Sequence, residues 1–436
     1  MGKFSKNCRT GVPGKILIVV ICALILSSAL AGCQGGGGKV KLTMIESLTS
    51  PERTKVLRTI ADEYQKQHSN VTIEIISPPL DGADQKIQQM LVNKNELDIL
   101  EVRDNTVAQF SSNDLLEPMD EYIKDWPDFG TLVENAKITG TLVGDKYFLI
   151  PYGFYQRMLY YRKDWLAEAG IPVPTTVSEL YEAAKKLTDP ANGRYGFTLR
   201  GVSGGYGQVT DYIRARIGQG GLQLRDPNYD LAGKSIYNNA YAVEAYQFMK
   251  KMYDDCCAKD AIAWGFQDQC QAFTSGVTAF LYQDPEVVAI CRENMQDSEW
   301  GTAPLPVDDV SKQYPISVGY AGWGIAAHSK NKKEAADFIM FLSNPDNNVT
   351  FCLDYSVIPI HTNAADKAEF FKSGPFAPYV EMNNKPDNYF LVVGKNREED
   401  KAIDENRNKE YSQALSGEAA IPDMVVRWAQ EYDAIH

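Results

Sequence analysis

Histidine is scarce in this chain, four residues in 436, and none stands beside cysteine at the spacing of a metal knuckle. That scarcity argues against a zinc cluster. Positive charge is also short: 44 basic residues face 57 acidic ones, for a formal net charge of −13. An acidic surface argues against nucleic acid or anionic lipid as the main partner, since both are held by basic patches. After the first thirty residues no second long apolar stretch appears, and no internal repeat is visible. The glycine-rich run Gly201-Val202-Ser203-Gly204-Gly205 has neither the dinucleotide spacing nor a P-loop lysine, so phosphate binding finds little support there.

The amino terminus is different in kind. Lys3, Lys6, Arg9 and Lys15 precede an apolar stretch, Ile16 to Leu30, broken only by Ser27 and Ser28. Fifteen residues fall short of the roughly 20 that a spanning helix needs. A basic start, a short apolar core and small residues before a cut site describe a removable export signal. Leu30-Ala31-Gly32-Cys33 resembles the lipobox of bacterial lipoproteins, which implies lipidation at Cys33 and cleavage just before it. Two or more acyl chains anchor a protein durably where one holds it marginally. Gly35 to Gly38 then form a flexible tether, because glycine has the most backbone freedom to lose on ordering. We therefore expect residues 1–32 to be the signal, 33–38 the lipidated tether, and the folded body to begin at Lys39. Removing residues 1–32 strips four basic groups and no acid, taking the charge from −13 to −17.

The remaining length exceeds what one hydrophobic core usually supports, so two domains are expected. Export permits disulfides, but the five body cysteines (Cys256, Cys257, Cys270, Cys291 and Cys352) are odd in number. Buried thiols are the preferred reading, with a Cys257–Cys270 bridge as the alternative.

"KVKLTMIES" alternates like a strand, and the segment from Ser50-Pro51 carries Val56, Leu57, Ile60 and Tyr64 at helical spacing. "VTIEIISPP", "DQKIQQMLVNKN" and "LDILEV" continue as strand, helix and buried strand. Such alternation predicts a layered α/β sheet with right-handed crossovers. Ligands collect outside the carboxyl ends of such strands, which points to Glu46, Ser47 and Leu48 and to Arg103, Asp104 and Asn105. Further on, "YFLIPYGFYQRMLYYRKDWLAEAGI" packs eight aromatics into twenty-five residues. Thr176 and Glu179 have the spacing of a capping box. From about Lys367 the tail reads as helical and studded with aromatics.

"PYGFYQRMLYYRKDWLAEAGIPVPTTVSELYEAAKKLT", "AFTSGVTAFLYQD" and "GYAGWGIAAHSKNKKEAADFIMFLSNPD" resemble, in order and spacing, segments of extracellular solute-binding proteins of family 1, the sugar-binding subunits of ABC transporters. The resemblance covers about residues 40 to 435. It implies an α/β, two-lobe, periplasmic-binding-protein-like fold of type II, with the ligand cleft between lobes. The chain would leave the first lobe near Pro151, return near Trp323 or Gly324, and cross again at Val357 to Ile360. That makes 39–150 plus 324–357 one lobe and 151–323 plus 358–436 the other. It further implies a monomer anchored by Cys33 in membrane lipid on the outer face of a bacterial cell, of Gram-positive type. Such a protein binds carbohydrate, uses no cofactor or metal, and hands its ligand to an ABC permease.

A pyranose offers an apolar face to aromatic rings and a rim of hydroxyls to amides, carboxylates and arginines. Each net hydrogen bond contributes about 0.5–1.5 kcal/mol, and a micromolar site needs about 8 kcal/mol. Several contacts must therefore converge. The candidates are Glu46, Ser47, Arg103 and Asp104 from the first lobe, and Tyr152 and Tyr155 at the crossover. The second lobe offers Tyr206, Trp264, Gln283 and Asp284, and the return crossover Trp323. Each has a plainer reading: one of Tyr152 and Tyr155 faces the core, Asp284 caps a helix, Arg103 and Asp104 neutralise each other. Pro285 and Glu286 stand where the family often has an aromatic, which puts a maltodextrin-type stacking ladder in doubt. Three rivals stand beside this reading. An anchored glycoside hydrolase could use Glu46 with Asp284, though no hydrolase motif supports it. A binder of peptide, polyamine or metal chelate is the second, and a sensor subunit the third.

Overall fold

A computed structural model describes residues 38–436, except 80, 81, 142, 144, 145, 203 and 395–397. The export signal, Cys33 and nearly all of the tether lie outside the described residues.

The alternating amino-terminal segment forms β1 (Val40–Ile45), followed by a helix over Pro51–Gln67, β2 (Val71–Ile76), a helix over Ala83–Val92, and β3 (Ile99–Arg103). Ser50 caps the first helix by accepting from the Arg53 backbone N–H at 3.2 Å. β1 lies between β2 and β3 and is parallel to both, as βαβ crossovers require. A two-residue strand β4 (Leu116–Glu117) and β5 (Ile150–Gln156) come next. A single residue, Arg157, then separates β5 from β6 (Met158–Arg162). With that step the backbone passes to a second sheet, completed by β7 (Tyr195–Phe197), β8 (Thr278–Gln283) and β9 (Trp300–Ala303) in the order β7-β8-β6-β9.

The chain returns on β10, thirteen residues from Tyr314 to Ala326. β10 runs antiparallel to β3, β4 and β5 and parallel to β11 (Tyr389–Val392). Pro151, Trp323 and Gly324, expected as crossing points, all fall inside β5 and β10. Gly322 and Gly324 are glycine because a Cβ at either would lie 2.3 Å from the Ile150 carbonyl oxygen or 2.7 Å from that of Phe148. They let neighbouring backbone close in on one face of the strand. Trp323 projects from the other face into the core, fully buried.

The Thr176–Glu179 capping box forms: the Glu179 N–H donates to Thr176 Oγ1 at 3.3 Å, and the Thr176 N–H donates back to Glu179 at 3.3 Å. Two expectations change. The tail is not helical throughout, since β11 adds a strand to the larger sheet between the helix Ala377–Asn383 and the closing pair Glu398–Ser416 and Ile421–Ile435. The Cys257–Cys270 alternative fails, because all five body cysteines are free and buried. Burial pushes their thiols up, to about 12 at Cys256 and Cys291.

Candidate functional site

The carboxyl ends of β1 and β3 do carry polar side chains, but most of them turn inward. Glu46 and Glu101 hold the guanidinium of Arg53 between them, and all three side chains are fully buried. Glu101 Oε2 also accepts the backbone N–H of Ser47 at 2.6 Å and of Leu48 at 3.0 Å. Thr54 and Ser77 donate to Glu46, and Tyr152 donates to Glu101. Four rings, those of Tyr152, Trp323, Phe351 and Tyr355, surround Arg53 at 5.2 to 5.5 Å. Two carboxylates bonded by hydroxyls and backbone, and one guanidinium whose Nε alone lacks an acceptor, form a sealed ion cluster under the cleft.

Above that cluster, between the two sheets, lies a cleft of about 560 Å³, within the usual range for small-molecule sites. The larger sheet contributes Leu48, Arg103, Asp104 and Asn105 from strand ends, with Ser317 to Tyr320 from β10. The opposite wall carries Arg157, Arg200, Asp284 and Glu286. A third edge is made by Asp211 and Arg214 of the helix Gly207–Ile217. Tyr155 and Tyr355 line it too, their hydroxyls 3.4 Å apart, and Tyr155 continues at 2.9 Å to Tyr152 and so to the sealed cluster.

The charges in the cleft are only partly paired. Arg103 is bound by Asp84. Arg214 donates to Asp211 at 2.9 Å and to Asn228 at 2.9 Å. Asp104 is held above the usual carboxylate range by burial, opposed by Arg103 and by backbone N–H groups of Asn105 and Tyr320. The Glu286 carboxyl is pushed up to about 8 by burial and by the neighbouring charge of Asp284, so it keeps its proton near neutrality. Burial, followed by the adjacent charge of Arg157, lowers Arg200.

Of the eleven candidate residues, the structure brings Arg103, Asp104, Tyr155 and Asp284 together in the cleft. Glu46, Ser47, Tyr152 and Trp323 are buried below it. Gln283 is buried against Gln269, to which its amide donates at 3.1 Å. Tyr206 lies 3.9 Å from the Arg407 guanidinium, in a cage that includes Trp428. Trp264 serves through its backbone: its carbonyl accepts from Gly201 at 3.2 Å and Val202 at 3.4 Å. Asp284 does not cap the following helix, whose N-cap position is Glu286. Glu46 cannot form a catalytic carboxylate pair with Asp284, being sealed against Arg53. Sequence reasoning missed Arg157, Arg200, Arg214 and Glu286. The available signal was the isolated charges in otherwise aromatic or apolar stretches, "FYQRMLYY" and "FTLRG".

Two sheets joined by strand crossovers over a polar cleft define a two-lobe binding protein of type II. The chain belongs to the bacterial extracellular solute-binding protein family, which matches residues 50–349. The galactooligosaccharide-binding protein of Bacillus subtilis (strain 168) is 22% identical over 382 residues, 85% of this chain and 84% of that protein. The maltodextrin-binding protein of the same organism is 25% identical over 377 residues, 80% and 82% of the two chains. Among solved structures, maltose-bound MalE3 of T. maritima superposes with a TM-score of 0.76 at 21% identity, covering 91% of this chain and all of that one. A solute-binding protein of Thermotoga lettingae bound with α-D-tagatose gives 0.78 at 19% identity, covering 91% and 99%.

Proposed function

We propose that this chain is the carbohydrate-capturing subunit of an ABC importer, a binding protein and not an enzyme, and that its ligand is an oligosaccharide. The observation that carries this reading is the cleft. Side chains able to donate and accept converge on it from both sheets, Arg103 and Asp104 from one side, Asp284 and Arg200 from the other. A ligand bonded to both walls favours the closed arrangement by its differential affinity for it, and a permease would recognise that form. Hinge motion falls at the β5–β6 step and on β10. A third crossover joins them where Phe154 and Ile358 exchange backbone bonds of 3.0 and 3.2 Å. The names of the two B. subtilis relatives support a sugar of more than one unit. In this reading the lobes divide near 150/151, 323/324 and 357/358. Cys33 carries the lipid that holds the monomer on the outer face of the membrane.

The test is a thermal-shift screen of the purified protein against mono- and oligosaccharides, peptides and polyamines. A ligand at about 100 times its dissociation constant stabilises by about 2.7 kcal/mol, and a sugar is expected to give that shift. A peptide or polyamine shifting the melt where every sugar fails would overturn the reading.

A further inference from the structure

Arg157 and Arg200 stand side by side on one wall of the cleft, and neither makes a hydrogen bond within the protein among the described residues. The carboxylate of Asp284 comes to 3.7 Å of Arg157 Nε, which is outside hydrogen-bond reach. Arg200 makes no ion pair among the described residues, and its Nε is buried with no acceptor. The other two arginines of the cleft are ion-paired, to Asp84 and Asp211, although Arg103 Nε also lacks an acceptor.

The charged groups of this wall are also mostly basic. Glu286, the remaining carboxyl of this wall, holds its proton up to about pH 8, and its Oε2 has no partner. On this wall the Asp284 side chain faces two guanidinium groups, with Asp104 and Asp211 on the other edges of the cleft. The first residue of the helix Gly207–Ile217 lies alongside, its Cβ position 3.5 Å from an Arg157 terminal nitrogen. That helix starts without a side-chain cap, so its partial positive end adds to the same field. This basic wall sits in a chain whose net charge is −13.

The arrangement is also built to stay in place. Gly201, directly after Arg200, packs so tightly that a Cβ there would lie 1.9 Å from the Ile262 carbonyl oxygen. At Gly205 a Cβ would lie 1.9 Å from the carbonyl oxygen of Arg200 itself. Arg157 is the single residue between β5 and β6, directly before the strand that opens the second sheet. Among the described residues the cleft lining includes no lysine. Guanidinium forks match a planar carboxylate with paired N–H···O bonds, a geometry that an ammonium does not offer. A neutral hydroxyl can accept from both donors but leaves the two like charges uncompensated.

We infer that Arg157 and Arg200 form a carboxylate-binding subsite, so that the sugar taken by this cleft carries an acidic unit of the uronic-acid class. The inference rests on the carbohydrate reading above.

Calorimetry on the purified protein tests it with digalacturonate and trigalacturonate against their neutral counterparts galactobiose and galactotriose. The uronates are expected to bind at least about tenfold more tightly, and their affinity to fall as salt rises. Arg200→Gln should abolish the preference, and Arg200→Lys, which keeps the charge but not the fork, should restore only part of it. Melting curves verify that each variant is folded; should Arg200→Gln not fold, Arg157→Gln answers the same question. Neutral sugars binding as well as uronates, with the arginine variants indifferent, would overturn the subsite and leave the carbohydrate reading standing. A sulfated galactobiose binding as tightly as the uronates would overturn the carboxylate assignment. Failure of every sugar, acidic or neutral, would overturn both readings.

Discussion

The guanidinium of Arg53 lies 5.5 Å from the centre of the Trp323 ring, and both side chains are fully buried. This contact explains why an indole stands between two glycines. Gly322 and Gly324 admit the backbone of the segment Phe148–Ile150, while the ring covers a buried cation. Trp323 is a wall of the ion cluster beneath the cleft and not a platform for ligand.

Trp323→Ala should accordingly act on stability. Removing a buried tryptophan costs about 3–5 kcal/mol, which denaturant melts will read directly. The folded fraction should keep its affinity for any sugar found in the screen. A loss of affinity with unchanged stability would return Trp323 to the ligand site.

Arg53→Met should destabilise strongly, because it leaves Glu46 and Glu101 buried without a counter-charge. Breaking one partner of such a pair costs about 3–5 kcal/mol. Adding Glu46→Gln and Glu101→Gln to Arg53→Met should recover part of that loss, since the uncompensated charges are then gone. Equal stability of the single and triple variants would show that packing, not charge, dominates here.

Glu286 makes a prediction about pH. Its usual value of 4.5 is raised to about 8 in the folded chain, by burial and Asp284, against the opposing charges of Arg157 and Arg200. Between those values the folded state holds a proton that the unfolded chain releases. Stability from this group therefore falls as pH rises through the window. Glu286→Gln should flatten that slope: the variant gains on the parent toward pH 8, and the two converge toward pH 4.5. Parallel melting profiles across the window would mean that Glu286 is ionised in the folded protein.

Cys33→Ala should abolish attachment of labelled fatty acid and leave the chain uncut or shed into the medium. Label still incorporated by the variant would show that another residue carries the lipid, and the anchor assignment would fall.

Elements that depend on local chemistry were legible in the sequence. Ser50-Pro51 and Thr176-x-x-Glu179 announce helix starts because caps are satisfied within one turn. β1 reads as a strand from its alternation, and the apolar runs of β3 and β8 do so because burial on both faces removes polar alternation. The ordered segments through "NPD" carried the family, and with it the two-lobe architecture. β11 escaped notice because four residues of strand in a helical tail, paired to β10 some seventy residues earlier, leave no periodicity to detect.

The site divided along a different line. The sequence by itself placed Arg103, Asp104 and Asp284 at strand ends, and these do reach the cleft. Whether a polar side chain at such an end faces ligand or core depends on what lies beneath it. Glu46 turns inward because Arg53, in the first turn of the next element, waits there as a buried partner, and Ser47 follows with its backbone N–H on Glu101. Arg157 lies in the step between β5 and β6 and Arg200 in the loop after β7, forty-three positions apart in the chain. Only the tertiary structure sets them next to each other, short of partners. A charge reveals its role only when its neighbours are known, because Coulomb interaction and desolvation depend on distances through space and not along the chain.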